Sequence, residues 1–514
     1  MAFSAVCKLW TFAIIGLVLL GIGIGSIFVI NSVIRDEINK QVVLTADSET
    51  YSAWVNPPAE VYLQFWVFHV ENPYEIVHRG DKPALKEKGP YSYREVKTKE
   101  DVKFHDNGTV TYRETRTMYF DPDTSRGSQD EVLTVVNLPY VTVATLLRFE
   151  YDIIKDLVQD ILKATNETLF IKLSPRQLIW GYEDTLLKDI KMGLKKYFNF
   201  TLPLDDTIGL FYKQNGSDDG VYNIYTGKTD PSLFNTINLW NYSSILDYWT
   251  TPGANAINGT DGTFFHPFIT KDETLELFST DICRSIGATY EQEMTVLGIN
   301  TYRFVVPKQI LQDYEHYPPN VGFCTPDKTR CLGAGLLNAT VCKQGQPAIV
   351  SLPHFYQGDQ SLVDAFDGLH PTKDVHQTFL DVEPYTGALL RASKRLQVNI
   401  WLQKISRFTE TDHLPDFLPF PVMWLNESAL VEESTADELK SQLLTVIKVS
   451  QGGEYAVIAI GSIMVLVVIC IAIFRCQRQR DDQLLHSVNT DDRSDYGAVG
   501  SRENTYNNGH STQM

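Results

Sequence analysis

Four cysteines are the residues in this sequence best able to react with one another. Cys283, Cys324, Cys331 and Cys342 fall within 60 residues. Two chemistries are open to four neighbouring thiols: pairwise oxidation, or shared ligation of a zinc ion. Their spacings of 41, 7 and 11 residues do not resemble the paired C-x-x-C knuckles of structural zinc sites. Two disulfides formed in an oxidising compartment are expected, and three connectivities stay open. A second chemistry is written in eight Asn-x-Ser/Thr sequons, at Asn107, Asn166, Asn199, Asn215, Asn241, Asn258, Asn338 and Asn426. One such string is a weak signal, but eight confined to one stretch of chain point to a secreted or lumenal body with sugars on its surface.

Nothing comparable marks a catalytic centre. The sequence has no G-x-S-x-G elbow, H-E-x-x-H pair, Walker loop or EF-hand pattern. Its 11 histidines are scattered, and neither His354 nor His370 has a ligand-spaced partner. Asp205-Asp206 and Asp218-Asp219 sit in turn-like surroundings. A triad need not be local in sequence, but the expectation is a protein that is not an enzyme and uses no metal or cofactor. The formal charge of −18 argues against nucleic acid as a partner, since phosphate binding needs clustered Lys and Arg.

The elements that position these residues begin with two apolar runs. Leu9 to Ile34 is 26 residues without a charge, and Tyr455 to Phe474 is 20 more. A helix rises about 1.5 Å per residue, so about 20 apolar residues cross a hydrocarbon core about 30 Å thick. The first run is too long for a signal-peptide core and no Ala-x-Ala site follows it. Lys8 flanks the first run, and Arg475, Arg478 and Arg480 follow the second, so both termini read as cytosolic. The organisation is then residues 1–8 cytosolic, 9–34 spanning, 35–454 lumenal, 455–474 spanning and 475–514 cytosolic. The two ends outside 35–454 hold six Lys/Arg and six Asp/Glu, so the whole net charge belongs to the lumenal segment. All eight sequons lie there too. Cys7, Cys470 and Cys476 lie at the cytosolic boundaries, where reversible palmitoylation competes with simple apolar filling. In the first span, Gly21 and Gly25 form a small-xxx-small pair suited to close helix packing.

The lumenal segment reads as antiparallel β-structure with a few helices. Val61 to Val70 is apolar on both alternating faces, as in a strand buried on both sides. Thr109 to Phe120 is β-branched and follows Asp106-Asn107-Gly108, a hairpin signal. Tyr302 to Val306 and Leu396 to Leu402 are further strands. In Glu150 to Lys163, Ile153, Ile154, Leu157, Val158, Ile161 and Leu162 form one helical stripe, with Asp152, Lys155, Asp156 and Asp160 away from it. In Asp184 to Phe198, Leu186, Leu187, Ile190, Leu194, Tyr197 and Phe198 form another. Lys188, Lys191, Lys195 and Lys196 on this second helix could draw anionic ligands; the plainer reading is a solvated face opposing the helix dipole.

The final tail, read as disordered after Arg480, carries two sorting-like strings. Asp481-Asp482-Gln483-Leu484-Leu485 sets acids before a dileucine, and Tyr496-Gly497-Ala498-Val499 fits a tyrosine-x-x-bulky pattern. Both resemble signals read by clathrin adaptor complexes, which bind short extended segments through two side-chain pockets.

Two spans, short cytosolic ends and a glycosylated loop resemble the class B scavenger receptor family. The strings GPYSYRE (Gly89 to Glu95), WGYEDTLL (Trp180 to Leu187), INGTDGTFFHPF (Ile257 to Phe268), SLPHFYQG (Ser351 to Gly358) and FPVMWLNES (Phe420 to Ser428) carry the match. The likeness extends from the first span to the second and is strongest to the family's lysosomal branch. That branch holds four paired lumenal cysteines, which implies Cys283 with Cys342 and Cys324 with Cys331.

The resemblance further implies an α+β fold. It consists of a large antiparallel β-barrel with a helical cap at about residues 140–200 and a hydrophobic tunnel toward the bilayer. Such a tunnel would carry cholesterol, fatty acids or phospholipids, sparing them an aqueous transfer cost of about 0.8 kcal/mol per CH₂. In the lysosomal branch the first cap helix binds β-glucocerebrosidase and escorts it to lysosomes. On this chain that face would be Asp152, Ile153, Lys155, Asp156, Gln159, Asp160 and Lys163. The chain departs from its relatives in three places. Asp152 stands where the lysosomal branch has a histidine, and Ala164 and Asn166 stand where the fatty-acid receptors have a lysine pair, with only Lys163 adjacent. The expected function is a lysosomal or late endosomal membrane receptor that sorts a hydrolase and conducts lipid. The alternative is a plasma-membrane scavenger receptor for lipoproteins, fatty acids or anionic and microbial ligands. Homo-oligomerisation is left open.

Overall fold

The computed structural model describes residues 2–202, 205–343 and 346–497. The chain divides into two compact units, residues 1–36 with 441–514, and residues 37–440.

The smaller unit consists of the two apolar helices. Residues Cys7–Gln41 and Thr445–Leu484 are long and apolar enough to cross a membrane. Glycines let their backbones approach: a Cβ on Gly461 would lie 2.8 Å from Leu20 N, and one on Gly23 would lie 2.6 Å from Ile458 Cγ1. The contact falls on Gly16, Gly23 and Gly461, not on the Gly21/Gly25 pair expected from sequence, where an added Cβ would meet no packed neighbour within 4 Å among the described residues. The period of 3.6 residues per turn puts Gly16 and Gly23, two turns apart, on one face, and Gly21 and Gly25 on another. The carboxy-terminal helix runs to Gly497, well past the point at which the sequence suggested loss of order. Gln, Arg and Leu, all good helix formers, extend the helix beyond the apolar run.

The larger unit is a nearly closed antiparallel barrel. Its wall strands are β1 (Ala59–Val70), β2 (Leu85–Phe104), β3 (Thr109–Asp121), β4 (Ser217–Tyr225), β5 (Ile237–Trp240), β6 (Thr274–Ser279), β7 (Arg284–Val296), β8 (Ile299–Val305), β9 (Phe379–Val382), β10 (Leu389–Leu402) and β11 (Leu418–Val431). They pair in the order β6-β7-β8-β9-β10-β11-β1-β2-β3-β4-β5. β1 and β11 sit mid-wall and are the most apolar. Their register sets Trp66 opposite Trp424, and the two indoles stack with centroids 3.8 Å apart. The β2–β3 turn forms where the sequence signals it: Asn107 Oδ1 accepts from the Thr109 N–H and hydroxyl, and Gly108 adopts φ +78°.

The two wall ends meet through a dipeptide. Ile237 N of β5 donates to Gly259 O at 2.8 Å, and Thr260 N donates to Glu276 O of β6 at 3.1 Å. A Cβ on Gly259 would lie 1.9 Å from Glu276 O, and its φ is +82°; only glycine fits.

Between β3 and β4 the chain builds the cap. A short ladder pairs Leu133–Val136 with Phe170–Leu173, next to the buried helix Leu138–Leu147. The first cap helix is Asp152–Ala164 and the second is Thr185–Phe198, capped by Asp184 accepting from Leu187 N. Ile154, Val158 and Leu162 of the first, and Leu186, Leu187, Ile190 and Leu194 of the second, enter one hydrophobic core. Two members of the expected stripes are exposed instead, Ile153 at 67% and Tyr197 at 65%. Each lies at a helix end, beyond the reach of the facing elements. Lys155 and Gln159, expected on the outer face, are buried instead. Gln159 bonds Thr409, and Lys155 buries its stem while its amine reaches Asp152 at 2.9 Å.

Candidate functional site

The barrel encloses a cavity of about 650 Å³, within the size range of small-molecule sites. Apolar residues of successive strands, among them Leu277, Phe278, Phe304, Leu380, Leu390 and Val431, line most of it. Thr435 and Leu439 also line it, a few residues before the carboxy-terminal helix. No lining residue comes from residues 133–198, so the chamber differs from the expected bore descending from the cap, whose interior is filled by its own apolar side chains.

One end of the chamber is charged. The alternation of β2 points Glu95, Lys97 and Lys99 inward, and that of β3 does the same for Glu114 and Arg116. Lys97 Nζ lies 2.7 Å from Glu427 Oε1 and Lys99 Nζ lies 2.7 Å from Glu114 Oε2. Lys394 bridges Asp281 and Glu427 Oε2, the latter at 3.2 Å. Arg116 Nη2 reaches Asp219 Oδ2 at 3.3 Å. Glu95 is the exception. Its Oε1 stands 3.9 Å from both Lys97 Nζ and Arg116 Nε, and among the described residues neither of its oxygens has a hydrogen-bond partner.

The electrostatics follow. Burial pushes the Glu95 carboxyl up to about 7 despite Lys97 beside it. Burial acts the same way on Glu114, but Lys99, Lys97 and Arg116 override it and hold that carboxyl at about 2. Asp281 and Glu427 are likewise held low against burial, by Lys394 with Arg116 and by Lys97 with Lys394. Removing one member of such a network strands a partner charge in the interior.

Sequence reasoning passes over this cluster. A signal was there: charges at positions 95, 97 and 99, and again at 114 and 116, recur with the period of a strand, where a water-facing strand would need no such regularity on its inner face.

The structure places the other expected residues as follows. Cys283 is bonded to Cys342 and Cys324 to Cys331, and among the described residues no cluster of His, Cys, Asp and Glu could hold a metal. Cys7, Cys470 and Cys476 are exposed free thiols. Asn107, Asn166, Asn199, Asn215, Asn241 and Asn258 are exposed and Asn338 is half-buried. Asn426 contradicts the expectation that every sequon is at the surface: it lies inside β11, 8% exposed, and donates to Gln64 Oε1 at 3.2 Å.

On the first cap helix, Asp152, Ile153, Asp160 and Lys163 face outward and Asp156 is half-exposed. Arg407 lies 3.3 Å from Asp152 and 3.5 Å from Asp156. Phe149 and Tyr151, just before this helix, are about as exposed as Ile153. On the second, Lys188 pairs with Glu183 at 2.9 Å and Lys191 with Asp206 at 2.8 Å. Lys195 donates to Asn199 and Lys196 lies over Tyr197. Asp481, Asp482 and Leu484 are exposed on the carboxy-terminal helix. Leu485 and Tyr496 fall within its backbone span, and Val499 lies outside the described residues.

Known proteins match this chain over most of its length. A family model described as the CD36 family matches residues 14–472. Lysosome membrane protein 2 of Homo sapiens is 39% identical over 435 residues, covering 84% of this chain and 88% of its own; its Mus musculus counterpart is 38% identical over the same span. Scavenger receptor class B member 1 of Sus scrofa is 32% identical over 453 residues, covering 88% of this chain and 87% of its own.

Proposed function

The chain belongs to the CD36 family as a two-pass membrane receptor of the class B scavenger type, and from that premise we propose that it is a lysosomal receptor that sorts a hydrolase and conducts lipid. The observation that carries the lipid half is the apolar chamber inside the barrel. A wall of aliphatic and aromatic side chains replaces water around a lipid tail, worth about 0.8 kcal/mol per CH₂. Cholesterol and phospholipid are the proposed cargo. The protein acts by binding and handing on, without catalysis.

The sorting half rests on the likeness to Lysosome membrane protein 2 and on the cap. Exposed Phe149, Tyr151 and Ile153 beside Asp152, Asp156 and Asp160 form an apolar patch rimmed by acids, a usual make-up for a protein interface. The proposed partner is a β-glucocerebrosidase-like hydrolase. Pull-down with the full-length protein at neutral pH should recover it, and reversing Asp152, Asp156 and Asp160 to Lys should weaken recovery. Recovery of no hydrolase, or recovery unchanged by the reversal, would overturn this half.

The likeness to Scavenger receptor class B member 1 favours a second reading, uptake at the cell surface. The pairing of Lys188 and Lys191 with acids weakens it, because a neutralised helix face attracts anionic particles poorly. Surface labelling of intact cells separates the two readings.

A further inference from the structure

The charged end of the barrel chamber is more than structural ballast. Five cations, Lys97, Lys99, Arg116, Lys343 and Lys394, meet five acids, Glu95, Glu114, Asp219, Asp281 and Glu427. They come from every element around that end: β2, β3, β4, β10 and β11, with Asp281 just before β7 and Lys343 from the loop after Cys342.

Two of these groups, though near opposite charges, are short of hydrogen-bond partners. A guanidinium offers five N–H donors, yet among the described residues Arg116 makes one hydrogen bond, to Asp219 at 3.3 Å. Its Nε is buried without an acceptor. Glu95 beside it is 5% exposed and has no donor for either oxygen. Meanwhile Arg116 keeps 22% and Lys394 30% of side-chain surface, and both line the chamber.

We infer that this end of the chamber is a headgroup site for a singly anionic amphiphile, its carboxylate or phosphate oxygens taken by the Arg116 guanidinium with Lys394 alongside and its tail lying along the apolar wall. The inference rests on the proposed lipid-carrying role and deepens it. Planar guanidinium forks match such oxyanions two bonds at a time. With Glu95 ionised the cluster is neutral; with Glu95 protonated it has one positive charge to spare, and the protonated carboxyl becomes a donor. Burial places that proton exchange near pH 7, while Glu114 and the other acids stay ionised well below it. Acidification therefore charges the site without dismantling it.

The test uses the full-length protein in neutral-lipid nanodiscs and a pyrene-labelled alkyl sulfonate, anionic at every pH used, beside the matching alcohol. If the sulfonate binds only the protonated site, its affinity should be about tenfold higher near pH 5.5 than near pH 8, as the competent fraction changes; the alcohol should show no such change. Glu95→Gln should bind the sulfonate tightly at both pH values. Arg116→Lys, which keeps the charge opposite Asp219, should weaken the sulfonate about tenfold and leave the alcohol unchanged. Competition by a fatty acid and by a lysophosphatidylglycerol, whose phosphodiester carries one charge, in separate arms, identifies the natural oxyanion as carboxylate or phosphate, and displacement by neither overturns the assignment. Equal binding of sulfonate and alcohol, or a pH profile untouched by Glu95→Gln, would overturn the headgroup site while leaving the lipid chamber standing. Binding of neither probe would overturn the lipid-carrying role itself.

Discussion

His354 and His376, both buried, stack face to face, with ring centroids 4.5 Å apart and planes tilted by 18°. Each uses Nδ1 as an acceptor, from the N–H of His370 at 3.0 Å and of Thr372 at 2.9 Å. That fixes the proton of neutral His354 on Nε2, which faces Glu87 Oε2 at 2.7 Å. Trp424 donates to the same oxygen at 2.8 Å. The pair thus ties the loop of residues 352–376 to β2 and β11.

Burial, with His354 next to it, pushes His376 down from 6.5 to about 4. The unfolded chain takes up this proton before the folded one does, so the contribution to stability is full above about pH 6.5 and is lost as pH falls through 4. Near pH 5 the loss is about 2 kcal/mol. His376→Asn, whose side-chain oxygen can still accept from Thr372, should flatten the acid limb of thermal stability against pH. An unchanged limb would mean that this ring does not govern it.

Glu95 works in the opposite sense. Its folded value is raised from 4.5 to about 7 by burial, so the folded state keeps a proton that the unfolded state gives up. Its contribution is full below about pH 4.5 and is lost as pH rises through 7. Glu95→Gln should gain up to about 3 kcal/mol over the natural protein at neutral pH and little at acid pH. Denaturant titrations at both values check this; equal gains at both would refute the assignment.

The two disulfides should differ in weight. Cys283 and Cys342 are 59 residues apart, Cys324 and Cys331 only 7. Chain-entropy reasoning assigns about 4 kcal/mol to the longer loop and between about 2 and 3 kcal/mol to the shorter. Replacing each pair by Ser in turn should lower the unfolding midpoint in that order.

Leu484, Leu485 and Tyr496 should direct traffic. Substituting all three by Ala is expected to shift the steady state from lysosomes to the cell surface, scored by surface biotinylation. Undiminished lysosomal signal would remove these residues from the sorting account.

Local signals carried much of the fold. β1 announced itself because both its faces are apolar, the β2–β3 turn because Asn107-Gly108 suits few other geometries, and the cap helices because their stripes repeat at helical spacing. What failed was set by distant chain. Ile153 and Tyr197 look like core residues until one knows that, among the described residues, no element covers them. Lys155 looks like surface until its stem is seen to pack inward with its amine returned to Asp152. Residue patterns alone did not reveal the chamber, and only the family resemblance implied a tunnel, for the same reason: its wall is gathered from strands hundreds of positions apart, and a void has no residue to name it. The inner-facing charges at 95, 97, 114 and 116 were readable as a periodicity, but their mutual neutralisation depends on Asp281, Lys394 and Glu427, which only the closed wall brings near.

Gly259 acts as the clasp of that wall. Elsewhere many ladder bonds join adjacent staves, whereas here the backbone bonds between the last stave and the first run through the Gly259-Thr260 dipeptide, with the Trp240–Phe278 ring contact beside them. A methyl group at this position would push into the Glu276 carbonyl and spring the hoop, so the width of the lumen, and with it whatever the lumen can hold, hinges on a residue with no side chain at all.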